Sequence, residues 1–411
     1  MKKIELLAPA GSFEKAKIAF LYGADAIYCG TGELSLRTRA DMKNDDLEKT
    51  IKYAHNIGKK VYVTINIFAW DDKYKEIRKM ALRLKELEPD GVIIADGGVM
   101  EVFKELAPNI PINVSTQANV ISLENAKFWH NNIGAKRVIL GREINKEQLK
   151  YIMENKPKDL EMEIFIHGAI CFAFSGRCFL SDFMSCRSAN LGDCSQSCRW
   201  SYNLYLEEKN NLGKFMPIET SQYGSSIMSS KDMCLIKEIP EIIEMGVDSL
   251  KIEGRLKTDY YLASVVNAYR TAIDNYLENK EKFDYTEYLT ELEKVKTRDL
   301  TTFFFNDKNN KDIQEYKGRQ YNENYEYGAK IVNYNEKKSV VEIKNKLNMG
   351  DEMELIIPGK IKPFEFKITN LWNYDTDIEI ESISPGVKGQ RVKIYIPYKC
   401  EENWVIRRKI K

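Results

Sequence analysis

Residues 161–200 read E-M-E-I-F-I-H-G-A-I-C-F-A-F-S-G-R-C-F-L-S-D-F-M-S-C-R-S-A-N-L-G-D-C-S-Q-S-C-R-W. The stretch opens as a short apolar strand, Met162 to Ile166, and breaks at once into polar, glycine-containing chain that carries Cys171, Cys178, Cys194 and Cys198. Their spacing is C-x6-C-x15-C-x3-C, with Cys186 between them and Cys234 beyond. The insertion Gly168 to Ser230 is far longer than an ordinary β-α loop. A loop that long inside a compact domain is normally functional, and the C-terminal ends of strands are where α/β barrels keep their chemistry.

Outward from this stretch, short apolar runs alternate with amphipathic helical patterns, which argues for β-α units and a parallel sheet. The strands read as Ile4 to Leu7, Ala26 to Cys29, Lys60 to Ile67, Gly91 to Ala95, Ile112 to Val114, Arg137 to Leu140, Met162 to Ile166 and Ser249 to Ile252. The helical patterns are Ser12 to Tyr22, Asp45 to Ile57, Asp72 to Leu87, Gly98 to Leu106, Leu123 to Asn132, Lys146 to Asn155 and Asp259 to Tyr276. Eight such repeats predict an α/β fold, a TIM-like (β/α)8 barrel over residues 1–280 with the cysteine-rich insertion at 168–230. An open doubly wound sheet would need G-x-G-x-x-G in an early loop, and none is there. Residues 281–326, with a helix over Tyr285 to Thr297, read as a connector. Residues 327–411 alternate apolar and polar positions between turns such as N-M-G-D and S-P-G-V-K-G, which predicts a small C-terminal all-β barrel. That domain is expected to recruit a macromolecular substrate and to hold no catalytic group. Its basic tail, Val405 to Lys411, reads as a solvated terminus or an RNA-contacting edge.

The 411 residues carry 62 Lys and Arg against 61 Asp and Glu, so a polyanion would have to bind a local basic surface. No apolar run approaches the roughly 18 residues that span a membrane, and the first residues lack the apolar core of a secretory leader. A cytoplasmic, reducing location is expected, without membrane association. Disulfides are therefore discounted. Zinc takes thiolates in pairs two to four residues apart, which suits Cys194 with Cys198 but not Cys171 with Cys178. A cubane iron-sulfur cluster accepts irregular spacing from separate segments, so a [4Fe-4S] cluster on Cys171, Cys178, Cys194 and Cys198 is the favoured reading, with Cys234 the rival fourth ligand.

Polar residues just past strand ends would line the barrel mouth. Arg142, Lys251 and Arg255 are three cations that would converge there and hold a multiply charged anion. His167 and Glu253 join them as catalytic candidates, with Asn66, Ser115, Gln117, Asn119, Glu143 and Arg177 as substrate-binding candidates. Taken singly, Ser115 and Glu143 read better as helix caps or loop-closing contacts. No H-E-x-x-H and no G-x-S-x-G elbow in a fitting context is present, so the hydrolase alternative comes down to Cys171 or Cys178 beside His167.

The run E-I-F-I-H-G-A-I-C-F-A-F-S-G-R-C-F-L-S resembles the signature of peptidase family U32 at Glu163, Phe165, Gly168, Ala169, Cys171, Gly176, Cys178 and Ser181. C-R-W-S-Y from Cys198, S-S-K-D-M from Ser229 and S-L-K-I-E-G-R-L-K from Ser249 extend the resemblance over nearly the whole chain. Thr301-Thr302-Phe303-Phe304 departs from the family's frequent T-T-G-F. The family was grouped with collagenase-like peptidases, yet members of the same signature hydroxylate RNA bases or quinone precursors without oxygen, with prephenate as the implied oxygen source. The resemblance is strongest to the branch that forms 5-hydroxyuridine at the wobble position of tRNA. It implies tRNA as macromolecular substrate, prephenate as a small dicarboxylate co-substrate and a second U32 subunit as a partner. Hydroxylation of ribosomal RNA and peptidase activity are the alternatives.

Overall fold

The computed structural model describes residues 4–35, 42, 44–171, 178, 180–187, 189, 192–200, 202, 204–207, 209–210, 212–213, 215–218, 230–295, 297–307, 313 and 324–410. Strands β1 (Glu5–Pro9), β2 (Ala26–Gly30), β3 (Lys60–Ile65), β4 (Gly91–Ile94), β5 (Ile112–Val114), β6 (Arg137–Ile139) and β7 (Glu161–Ala169) alternate with helices. These are α1 (Phe13–Leu21), α2 (Asn44–Asn56), α3 (Tyr74–Leu87), α4 (Gly97–Leu106), α5 (Leu123–Ile133) and α6 (Lys146–Asn155). The chain then leaves for the insertion, where α7 (Leu180–Ser185), the antiparallel hairpin of β8 (Leu204–Glu207) and β9 (Phe215–Ile218), and β10 (Asp232–Cys234) are described. After α8 (Ile239–Glu244) it returns as β11 (Ser249–Ile252), which pairs in parallel with both β1 and β7 and so closes an eight-stranded barrel. The (β/α)8 expectation holds.

The strands are almost wholly buried because helices cover one face and barrel-filling side chains the other, so they read as continuous rather than alternating runs. Caps set where the helices begin. Ser12, Ser122 and Thr258 each accept a backbone N–H three residues on, Asp96 accepts those of Gly98 and Val99, and Asn145 forms a reciprocal capping box with Gln148. The signature glycine, Gly168, has φ +109, and a Cβ there would lie 2.7 Å from the Glu253 carbonyl oxygen. Only glycine lets β7 pass that close to the end of β11.

Long α9 (Asp259–Glu278) lies against α1 and β1, followed by α10 (Thr286–Glu293) and the two-residue β12 (Leu300–Thr301), which extends the sheet beyond β10. Phe303 occupies the third position of the family's T-T-G-F and holds φ 54, the left-handed conformation that glycine adopts freely. Its side chain is buried in the barrel core.

The C-terminal domain is an antiparallel all-β unit. Strands β13 (Tyr325–Asn333), β14 (Ser339–Ile343), β15 (Leu347–Asn348), β16 (Glu352–Ile356), β17 (Phe364–Lys367), β18 (Leu371–Asn373), β19 (Ser382–Ile383), β20 (Arg391–Ile394) and β21 (Val405–Lys409) follow in order. Seven form one sheet in the order β17-β16-β21-β13-β14-β20-β18 around a core of their own, and β15 pairs with β19. The basic tail is therefore no solvated end. As β21 it runs between β13 and β16, and Arg407 is fully buried, donating to Glu354 and, at 2.7 Å, to Glu291 of α10. The domain is docked on the barrel by polar contacts. Tyr22, the C-cap of α1, donates to the Ile356 carbonyl at 3.0 Å and accepts from Val405 N–H at 2.9 Å, while Asn267 of α9 bonds Ile357, Gly359 and Lys360. No described helix is long and apolar enough to cross a membrane.

Candidate active site

The barrel interior is charged at its N-terminal half. Parallel register brings Glu5, Arg137, Glu161, Glu163, Ser249 and Lys251 onto the inward face, because residues two apart on a strand share one side. Arg137, almost fully buried, donates to Glu5 at 2.6 Å, Glu161 at 2.8 Å and Glu163 at 2.9 Å, and Glu163 accepts from Lys251 at 2.8 Å. Glu5 also accepts from Lys60, Tyr62 and Ser249. Burial alone would raise the Glu5 carboxyl, but the Arg137 guanidinium overrides it and holds the group below the usual carboxylate range.

Above this ladder lies the mouth, floored by Phe165 and Tyr28. The Arg142 guanidinium carbon stands 3.8 Å from the centre of the Phe165 ring, and Lys251 Nζ stands 5.6 Å from that ring and 4.3 Å from the Tyr28 ring. Arg255 lies 5.9 Å from Tyr28 and donates to the hydroxyls of Ser35 at 3.0 Å and Thr64 at 3.1 Å. The three cations thus share two rings. Burial holds the Lys251 ammonium below its usual value, Glu163 works against this, and Arg137 and Arg255 add to it. Arg142 makes no hydrogen bond or ion pair among the described residues.

His167 is placed elsewhere. A bulge at Ile166 shifts the β7–β11 register, pairing Phe165 with Lys251 but His167 with Ile252, so the imidazole leaves the barrel interior. It is buried between β10 and α9, its ring centre 5.5 Å from that of Tyr269 and 6.0 Å from that of Tyr261. Burial pushes its pKa down to about 4, despite Asp232 nearby. Glu253 joins the same corner through its backbone, its N–H donating to the His167 carbonyl and its own carbonyl accepting from the Tyr261 hydroxyl. The remaining candidates line the strand ends from β3 to β6. Asn66 donates to Ser115 Oγ at 3.5 Å, and Ser115 accepts from Gln117 N–H at 3.2 Å as a local cap. Asn119 adopts the left-handed conformation, its Oδ1 buried without a hydrogen-bond partner, and Glu143 closes over Gly141. Arg177 lies outside the described residues.

All the described cysteines are free thiols. Burial raises the Cys198 thiol, Arg199 opposes the rise, and the neighbouring Cys171, Cys194 and Cys178 add to it, so the four share one electrostatic neighbourhood. Among the described residues no three His, Cys, Asp or Glu side chains close onto a single point. Gln196 N–H donates to Cys194 Sγ at 3.4 Å, and Arg199 donates to the Ile170 carbonyl at 3.0 Å, fastening the group to the end of β7. Cys234 stands apart, buried on β10 with its sulfur 3.6 Å from the Tyr269 hydroxyl and its pKa pushed up to about 11 by burial. Sequence reading missed the Glu5–Arg137–Glu163 ladder and the Tyr28 and Phe165 floor. Charged residues recurring at every second position of Glu161-Met162-Glu163 were the available signal.

A parallel barrel with a cationic, aromatic-floored mouth, a thiol-bearing insertion after its seventh strand and a docked β domain defines the class of protein. The chain belongs to peptidase family U32, whose model matches residues 11–315, and the family's C-terminal domain model matches residues 323–407. It is 39% identical over 378 residues to tRNA hydroxylation protein P1 of Bacillus subtilis, covering 91% of this chain and 88% of the relative. It is 34% identical to tRNA hydroxylation protein P of Escherichia coli, over 99% of this chain and 96% of that one. The 23S rRNA 5-hydroxycytidine C2501 synthase of Escherichia coli is 34% identical over 68% of this chain and 40% of its own length.

Proposed function

We propose that the protein is an RNA-hydroxylating enzyme that converts the wobble uridine of tRNA to 5-hydroxyuridine without molecular oxygen, with prephenate as the source of the hydroxyl oxygen. The observation that carries the reading is the convergence of Arg142, Lys251 and Arg255 over Phe165 and Tyr28, at the end of the barrel where the cysteine-bearing insertion begins. Prephenate carries two carboxylates and a hydroxyl on an unsaturated ring. Arginines suit its carboxylates by paired hydrogen bonds, and the aromatic floor suits the ring. Full-length similarity to the two tRNA hydroxylation proteins supports the choice of substrate.

In this reading Cys171, Cys178, Cys194 and Cys198 hold a [4Fe-4S] cluster. What supports it is the chemistry of the donors: free thiols that act on one another's charge at Cys198, a backbone N–H donating to Cys194 and Arg199 alongside, although among the described residues they do not close onto one point. When bound, the cluster would supply a Lewis-acid iron and an electron relay. The protein's own residues do the rest. Arg142 and Arg255 orient the anion, Glu163 favours the charged form of Lys251 against its burial, and the buried floor keeps water from the reacting base. The cysteine-protease reading of Cys171 or Cys178 beside His167 gains no support, since His167 is buried against Tyr261 and Tyr269.

The test is nucleoside mass spectrometry of tRNA from a strain lacking the gene, with and without prephenate synthesis. Loss of 5-hydroxyuridine derivatives in both backgrounds is expected, together with iron and sulfide in anaerobically purified protein. Unchanged modification, or stoichiometric zinc in place of iron with gelatin cleavage abolished by Cys171→Ala, would hand the case to a peptidase.

A further inference from the structure

The two most exposed aromatic side chains among the described residues, Phe183 at 77% and Trp70 at 69%, stand on connections at the same end of the barrel. Trp70 follows β3, and its backbone is fixed from both sides. Its carbonyl accepts from Lys73 N–H in the 3-10 turn Asp71–Lys73, and Ala69 N–H donates at 3.3 Å to Asp96, the carboxylate that caps α4. Phe183 lies on α7 of the insertion. Ser181 Oγ accepts the Ser195 N–H at 2.9 Å, and Arg199 ties the neighbouring 3-10 turn to Ile170 just past β7. Large aromatic rings on a fixed backbone, left facing water, offer flat faces to a partner.

The proposed function says which partner. The RNA substrate of that reading comes to this end of the barrel, where the exposed rings stand, and its bases stack on aromatic faces whatever their sequence. A duplex cannot offer its bases, whereas an unpaired loop can. Resting on the RNA-hydroxylation reading, we propose that Trp70 and Phe183 are stacking platforms for unpaired bases of an RNA hairpin loop, holding it over the barrel mouth while one base enters.

A stem-loop RNA carrying 2-aminopurine in its loop tests this by anisotropy and quenching with the full-length protein prepared without oxygen. Wild type should quench the loop analogue, and Trp70→Ala and Phe183→Ala should each weaken binding about 5- to 100-fold, the usual effect of losing one base–aromatic stack. Trp70→Phe should restore most of the binding. All variants should keep the wild-type absorbance spectrum and prephenate binding, which separates loss of a platform from misfolding. If both alanine variants bind the stem-loop as wild type does while wild type still modifies tRNA, the inference is overturned and the functional reading stands. Alanine variants that lose a protein partner while keeping the stem-loop would overturn it in the same way. If wild type neither binds nor modifies tRNA, the functional reading fails and the platforms fail with it.

Discussion

His167 should make the barrel acid-sensitive in a window where few other groups titrate. The Tyr269 hydroxyl donates its single hydrogen to the Ile166 carbonyl at 2.9 Å and accepts from Leu235 N–H at 3.2 Å. With that hydrogen on Ile166, His167 Nδ1 at 3.4 Å from the hydroxyl is assigned as a donor, and its Nε2 is then a buried lone pair without a partner among the described residues. Protonation would place a charge there with nothing to receive it. The folded pKa of about 4 lies below the ordinary 6.5, so the unfolded chain binds the extra proton. Stability is therefore intact above pH 6.5 and drains away as the pH falls toward 4. At about 1.36 kcal/mol per unit, the loss between pH 7 and 5 is roughly 2 kcal/mol. Urea unfolding at pH 7, 6 and 5 in reducing buffer, followed by circular dichroism, measures it. His167→Phe and His167→Gln, whatever their stability at pH 7, should lose about 2 kcal/mol less than wild type over that range. Equal losses in all three proteins would refute the buried neutral imidazole.

Three further outcomes follow from the same geometry. Arg407→Ala leaves Glu354 and Glu291 at the domain junction with Lys294 alone and should cost about 3 kcal/mol in thermal or urea unfolding, with Arg407→Met paired to Glu354→Leu recovering most of it. If the proposed cluster is bound, Cys234→Ala should leave the iron content of anaerobically purified protein unchanged, whereas Cys198→Ala should lower it; the reverse would make Cys234 the fourth ligand. Glu163→Gln removes the carboxylate that holds the proton on Lys251, already depressed by burial, so that cation is lost as pH rises through a still lower value. KM for prephenate should therefore climb with pH more steeply in the variant than in wild type, and parallel profiles would dismiss the coupling.

The barrel was legible because its strands are short β-branched runs at regular spacing and its helices carry caps such as Ser12, Ser122 and Asn145. Arg142, Lys251 and Arg255 could be placed at one mouth by counting from strand ends. His167 could not, because one extra residue at Ile166 reverses the face of everything after it, and no sequence period announces a bulge. The last strand was misread for a related reason. Val405 to Lys409 looks like a basic tail until Glu354 and Glu291, distant in sequence, are found waiting for Arg407. The domain boundary also hides a dependence, since Ile356 and Val405 pack into the barrel core, so the C-terminal unit is seated on the barrel rather than tethered beside it.

The ladder inside the barrel explains how a mouth can keep cations close together without the fold coming apart. Like charges in a low-dielectric interior repel strongly, and a buried ammonium alone would shed its proton. Here Arg137, Lys251 and Lys60 are met by Glu5, Glu161 and Glu163, so the interior is near neutral by formal charge. The Arg142 guanidinium rests against the Phe165 ring face, and that of Arg255 lies by the Tyr28 ring and the hydroxyls of Ser35 and Thr64. In the proposed reading, an entering dianion meets the Arg142 guanidinium on its ring face, above an interior whose formal charges balance. Glu163 and Phe165, two residues apart in the family signature, divide that work: the carboxylate fixes the charge of Lys251 from below, and the ring carries Arg142 above.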